Sequence, residues 1–246
     1  MTLPHFAPTQ KARENLLREG VVEEKILVTG NTVIDALQWV ASQPCPQEVE
    51  HLLISKEGGG NPNSEIRNIL VTAHRRENFG EPLENICLAL REISRRYHGQ
   101  VRIIYPVHLN PNVWKPVHRL LEGNSQITLI PPLDYLLLVH LMKKSYLVLT
   151  DSGGIQEEAP GLGIPVLVLR EKTERPEAVE AGTVRLVGTK AERIIAETSL
   201  LLDNLEEYNK MAKAANPYGD GRASQRIISA PLGEPVEPFV PSPSHG

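Results

Sequence analysis

The sequence predicts an α/β fold built on a Rossmann-like, doubly wound parallel sheet, and three observations carry that prediction. Short β-branched runs recur along the 246 residues, each followed by an amphipathic stretch of helical length, which is the rhythm of parallel strands joined by helices. The runs are apolar almost throughout, and a strand without a polar face is one covered by helices on both sides. Polar clusters stand directly after several of them, where folds of this kind build their ligand sites.

Taken in order, the first run is Ile26–Thr29, in a segment (residues 1–41) that offers two helices around one strand. That segment is too short to fold alone, so its sheet partners are expected from another chain or from further sequence. Residues 42–65, SQPCPQEVEHLLISKEGGGNPNSE, mix prolines with three successive glycines and read as a hinge. The main domain, residues 66–215, holds the runs Ile69–Thr72, Val101–Tyr105, Ile127–Ile130, Tyr146–Thr150, Val166–Leu169 and Val184–Val187. The last stretch, residues 231–246, carries five prolines and is expected to be an extended, disordered tail.

Composition narrows the function classes. With 26 Lys and Arg against 30 Asp and Glu, the net charge of −4 argues against a protein that coats nucleic acid, so any phosphate bound here is small. The two cysteines, Cys45 and Cys87, form no CxxC pair, and the eight histidines include no HExxH, so no metal site is expected and a reducing compartment is. No apolar run approaches the ~18–20 residues that cross a bilayer, and the N-terminus has no signal-peptide core; the chain reads as cytoplasmic and not membrane-bound.

Four clusters carry chemistry. After Tyr146–Thr150 comes DSGGIQEEAP, residues 151–160. A strand running through Ser-Gly-Gly into a helix bares backbone N–H groups where the helix dipole favours an anion, a cradle suited to a diphosphate. Ser152 can cap the helix and donate to phosphate, Gly153 and Gly154 admit a close approach, and Glu158 stands on the second turn, placed to accept from a ribose diol. A Ser-capped helix with glycines for packing is the structural alternative. The string is neither GxxxxGK[ST] nor GxGxxG, so it is no P-loop or dinucleotide fingerprint. TAHRREN, Thr72–Asn78, sets His74 and Arg75 at another strand end, where His74 is a candidate to contact phosphate or trade a proton; a salt-bridged loop explains the same residues. YPVHLNP puts His108 after Tyr105, with a proline-rich turn as the competing reading. EKTERPE puts Arg175 where it can pair with a carboxylate or phosphate, with Pro176 opening a helix. Each cluster alone is ambiguous. Together they occupy the ends of four different strands.

The strings VTGNTVIDAL, VTAHRREN, YPVHLNPNV, TDSGGIQEEAP, GIPVLVLREKTERPEAVEAGTVRLVGT and NPYGDGRASQRI resemble, in order, the non-hydrolysing UDP-N-acetylglucosamine 2-epimerases. The resemblance spans most of residues 5–228. It implies a glycosyltransferase-B type fold of two Rossmann-like domains, with residues 66–215 as the nucleotide-binding C-terminal domain, residues 1–41 as the closing part of the N-terminal one and residues 216–230 as a crossover helix. It implies a homodimer, UDP-GlcNAc and UDP as ligands, no cofactor or metal, and a role in cell-surface polysaccharide synthesis. Ser152, Gly153 and Gly154 would then hold the diphosphate and Glu158 the ribose; His74 and Arg175 would lie near the phosphates and sugar, with His74 the catalytic candidate. Uracil would sit around Pro132, Leu133 and Leu138, and Leu138 stands where the family usually has an aromatic ring. Arg75 and His108 resemble positions lining a second, regulatory UDP-GlcNAc pocket. The family reaction removes the C2 proton and the anomeric oxygen to give 2-acetamidoglucal and UDP, then re-adds UDP to yield UDP-ManNAc. Its proton-transfer carboxylates lie in the N-terminal domain, outside this sequence, so a catalytically incomplete epimerase is expected. The alternatives are a silent UDP-sugar-binding module and, less favoured, a UDP-dependent glycosyltransferase.

Overall fold

A computed structural model of the chain describes residues 4–53 and 66–242. The chain begins with β1 (His5–Ala7), α1 (Gln10–Arg18), β2 (Ile26–Val28), α2 (Thr32–Ser42) and α3 (Gln47–Leu53). It continues with β3 (Arg67–Thr72), α4 (Glu81–Arg96), β4 (Val101–Pro106), α5 (Pro111–Leu121), β5 (Ile127–Ile130), α6 (Tyr135–Lys143), β6 (Leu147–Thr150) and α7 (Gly153–Gly161). The last elements are β7 (Val166–Val168), α8 (Pro176–Glu180), β8 (Val184–Leu186), α9 (Ala191–Asp203), α10 (Leu205–Ala212) and α11 (Ala223–Ser229).

Strands β3 to β8 form one parallel sheet in the order β5-β4-β3-β6-β7-β8. The chain winds outward from β3 in one direction and from β6 in the other, the doubly wound order expected. Side chains alternate faces along each strand. Ile69, Val71, Ile103, Leu147 and Leu149 enter a core covered by α4, α5 and α9. Leu70, Ile104, Val148, Val166 and Val168 enter the opposite core, under α2, α6, α7 and α8. Burial on both faces is why these strands carry no polar side.

The first segment departs from the reading of two helices around one strand. It contains a second strand, β1, which pairs in parallel with β2 in a separate two-stranded sheet. His5–Ala7 has no β-branched residue, so no propensity marked it. Helix α2 buries Ile34, Leu37 and Ala41, spaced three and four apart, in the second core of the main sheet. Gly161 permits that contact: a Cβ there would stand 2.9 Å from Leu37 Cδ2. Part of the segment read as a hinge is helical, since α3 lies within it with Val49 fully buried. Residues 54–65 of that segment lie outside the described residues.

At the other end, α11 stands within the expected crossover helix and starts on the side chain of Asp35, whose carboxylate accepts from the amides of Ala223 (3.1 Å) and Ser224 (2.6 Å). Beyond a 3-10 turn at Ala230–Leu232 there is no regular structure up to residue 242, yet the expectation of a disordered tail needs correcting over this stretch. Phe239 is buried against Ala7 and Val28, its N–H donates to the Val28 carbonyl at 2.8 Å, and Arg226 lies 5.7 Å over its ring. One aromatic side chain anchors a proline-rich stretch whose composition gave no such signal.

Candidate functional site

In a doubly wound sheet the loops leave the two central strands in opposite directions and part over their carboxyl ends. Those strands are β3 and β6, with Thr72 and Thr150 as register partners and their hydroxyls 2.5 Å apart. Thr150 Oγ1 also accepts from the Ser152 amide (2.9 Å), turning the chain into α7. The clusters around His74 and Ser152 therefore flank the switch point, with those around His108 and Arg175 following the adjacent strands β4 and β7. The structure places all four at the same end of one sheet.

Ser152 occupies the N-cap position of α7 with extended backbone, but its hydroxyl makes no capping bond, unlike Thr9, Asn31 and Asp134 at their helices. Neither Gly153 nor Gly154 has a positive φ, so their missing side chains serve space rather than handedness. A Cβ on Gly154 would meet nothing nearer than Ser152 Oγ at 4.0 Å. A Cβ on Gly153 would stand 2.6 Å from Glu174 Oε1 and 3.3 Å from Arg75 Nη2. The protein thus brings a carboxylate of its own to the helix N-terminus, held by Arg75 at 2.8 Å and by Arg170. Against the upward push of burial, a backbone hydrogen bond and the Arg170 and Arg75 guanidiniums hold the Glu174 carboxyl below the usual range.

Glu158 lies one turn further along α7, only 7% exposed, and Tyr135 Oη donates to its Oε1 at 3.0 Å. Burial raises its pKa; the Tyr135 bond pulls downward and the Glu157 charge adds to the rise. Arg175 is already engaged within the protein: its Nε binds Glu157, a buried carboxylate that also accepts from Asn31 Nδ2 at 2.7 Å. Beside the switch point is a cavity of about 150 Å³ whose walls include Pro132, Leu133 and Leu138 together with His74 and His108. The two imidazoles stack at 5.5 Å with 13° between their planes. His108 thus shares the cavity with the three residues expected around a base, while Arg75 stands at the Gly153 cradle.

Sequence reasoning missed four side chains here. Asp151 is fully buried, and its Oδ2 accepts from the amides of His74 (2.9 Å) and Arg75 (2.8 Å) and from Asn78 Nδ2 (2.9 Å), fixing the loop after β3. Tyr135, Glu157 and Glu174 hold Glu158, Arg175 and Arg75. Asp151 was legible in principle, because a carboxylate at the end of an apolar central strand needs donors nearby. The other three depend on tertiary pairing and had no local signal. Among the described residues no group of three or more His, Cys, Asp or Glu is placed to hold a metal ion, and no helix is long and apolar enough to cross a membrane.

The chain as a whole resembles known proteins. The profile of the family described as UDP-N-acetylglucosamine 2-epimerase matches residues 1–231. The chain belongs to that family. It is 54% identical over 231 residues to the UDP-N-acetylglucosamine 2-epimerase of Yersinia pestis, covering 94% of this chain and 61% of the relative. The Salmonella typhimurium protein of the same name is 53% identical over 232 residues, with the same coverage of each. The crystal structure of the UDP-GlcNAc 2-epimerase of Neisseria meningitidis bound to UDP-GlcNAc superposes with a TM-score of 0.82 at 47% identity, covering 95% of this chain and 62% of that one. The chain therefore spans about three fifths of the length of the epimerases it matches, and over that span the α/β fold agrees with theirs.

Proposed function

We propose that the crevice between β3 and β6 binds the UDP part of UDP-N-acetylglucosamine and that the chain serves its interconversion with UDP-ManNAc. The observation that carries this reading is the pair of glycines opening α7 at the switch point, next to a cavity of base size. The diphosphate lies on the Gly153 and Gly154 amides and the Ser152 hydroxyl, where the α7 dipole and Arg75 stabilise negative charge as the anomeric bond breaks. The ribose diol is held by Glu158, with Tyr135 fixing the carboxylate. Uracil enters between Pro132, Leu133 and Leu138. His74 faces the leaving diphosphate, and Arg175, braced by Glu157, stands on the sugar side.

Removing and returning the C2 proton needs an acid and a base on opposite sides of the sugar. The carboxylates with that role in the resemblance lie outside this sequence, so this chain supplies nucleotide binding and leaving-group stabilisation. On the same reading residues 1–41 belong with an N-terminal domain, Arg75 and His108 border a second UDP-GlcNAc site, and the protein works as a cytoplasmic homodimer. Calorimetry of the purified chain with UDP tests the nucleotide assignment: saturable binding is expected, and no heat at millimolar UDP overturns it. Turnover of UDP-GlcNAc to UDP-ManNAc by the chain alone, followed by NMR, would overturn the division of chemistry and leave the nucleotide site standing.

A further inference from the structure

Asp151 has an oxygen with nothing to bind. Its Oδ2 takes three hydrogen bonds, while Oδ1, equally buried, has no partner among the described residues. The nearest ionisable nitrogen is His74 Nδ1, 3.8 Å away. A buried carboxylate oxygen left unsatisfied is costly, and a small rotation of the imidazole would bring Nδ1 into range as a donor. The carboxylate cannot move to meet it, because the backbone of the same loop grips its other oxygen. One face of the ring is covered by the stacked His108, whose own Nδ1 accepts from the Asn110 amide at 3.0 Å.

We propose that Asp151 is a positioning residue for His74: its Oδ1 takes the Nδ1 proton, fixing the tautomer and the ring plane so that Nε2 is turned to the crevice. A neutral imidazole has one donor and one acceptor nitrogen, and the partner of one decides the role of the other. With Nδ1–H on Asp151, Nε2 is a bare acceptor that becomes a charged donor when it takes a proton, the form that pairs with phosphate oxygen. His108 is held the opposite way, its hydrogen on Nε2. Stacked rings with opposed tautomers make the two histidines chemically distinct, although both line one cavity.

This inference rests on the UDP reading for its affinity arm alone; the tautomer arm needs no ligand. In ¹⁵N-labelled protein at alkaline pH, long-range ¹H–¹⁵N correlation is expected to show His74 with its proton on Nδ1, assigned by the signal lost in His74→Gln. Asp151→Asn keeps one acceptor oxygen for the loop amides but turns an NH2 toward Nδ1, so the tautomer should reverse; Nε2–H can still donate to phosphate but without the imidazolium charge, and UDP binding should weaken by about tenfold, the difference between a charge-assisted and a neutral hydrogen bond. A proton on Nε2 in the unsubstituted protein overturns the proposal, as does a tautomer unmoved by Asp151→Asn. If the variant fails to fold, the tautomer of the unsubstituted protein decides. Absence of any UDP binding, with the tautomer as expected, sinks the nucleotide assignment and spares the Asp151–His74 pairing.

Discussion

If the diphosphate lies at the start of α7 as proposed, Glu174 stands beside its place, and removing its charge should tighten UDP binding. In Glu174→Gln the side chain keeps its length and one acceptor oxygen but no longer sets a charge beside the start of α7 or competes as a carboxylate with phosphate for Arg75 and Arg170. Two unit charges about 4 Å apart repel by about 1 kcal/mol in water and about 4 kcal/mol at an effective dielectric of 20. The Glu174 side chain is 39% exposed, which puts the effect near the lower figure. A gain of about 1–2 kcal/mol corresponds to roughly 5- to 30-fold lower Kd. Calorimetry of UDP on both proteins at low salt reads it directly, and the gap should narrow at 0.5 M salt, roughly, as screening shortens its reach. Equal affinity, or weaker binding by the variant, would refute the reasoning: the carboxylate would then be orienting Arg75 and Arg170 for the ligand rather than holding its place.

Four further outcomes follow from the geometry. Glu158→Ala should cost about 1.5–3 kcal/mol of UDP affinity through lost charged hydrogen bonds, read by calorimetry; unchanged binding would show the ribose held elsewhere. Leu138→Phe should gain about 0.5–1.5 kcal/mol if uracil lies against it, and no gain would count against that placement of the base. Phe239→Ala should remove about 1.5–3 kcal/mol of burial from the small sheet, so hydrogen exchange at β2 should accelerate while UDP affinity holds; unchanged exchange would mean the tail is not anchored there. Arg226 holds the Asp220 carboxyl below its ordinary range, mainly by a direct hydrogen bond, so the unfolded state binds the proton more readily. The stability this adds is complete above the ordinary Asp value, near pH 4, and is lost as pH falls through the lowered one; acid should therefore release α11 in the intact protein sooner than in Asp220→Asn compared with its own neutral state, measured by exchange of the α11 amides.

The main sheet was legible because its strands are buried on both faces: a run such as LVLT at Leu147–Thr150 leaves no polar side to confuse with a loop. The four clusters were legible because a parallel sheet gathers its loops at one end, so polar residues after separate strands converge without any long-range information. What escaped was pairing. Nothing near Glu174 in the sequence says that its carboxylate crosses to Gly153, since that contact is set by how the loop after β7 lies against the turn after β6. Arg175 was read as placed for a carboxylate or phosphate, and the carboxylate it found, Glu157, lies on α7 inside the stretch already singled out. Phe239 was invisible for the same reason: a lone aromatic among prolines has no period, and only the exposed edge of β2 gives it a place to bind.

The opening residues show how a segment assigned to one domain can bear on a site in another. On the face of the sheet carrying Leu70 and Val148, α2 packs beside α7, and burial of Ile34 and Leu37 in that shared core ties the two helices together. Asn31, the N-cap of α2, is thereby brought to Glu157, and Glu157 in turn grips Arg175. Thr9, just after β1, donates to Glu177 at 3.0 Å, two residues beyond Arg175. Two separate hydrogen bonds thus join the first segment to the neighbourhood of the candidate sugar-side arginine, one to Glu157, which grips Arg175, and one to Glu177 on α8. A shift of the first segment relative to the main sheet would have to carry these partners with it or break the bonds, and each break would leave a buried polar group, Thr9 or Glu157, short of a partner. Arg175 keeps its pairing with Glu157 on α7 in either case, so displacement of the first segment would reach it through α8, which begins at the next residue.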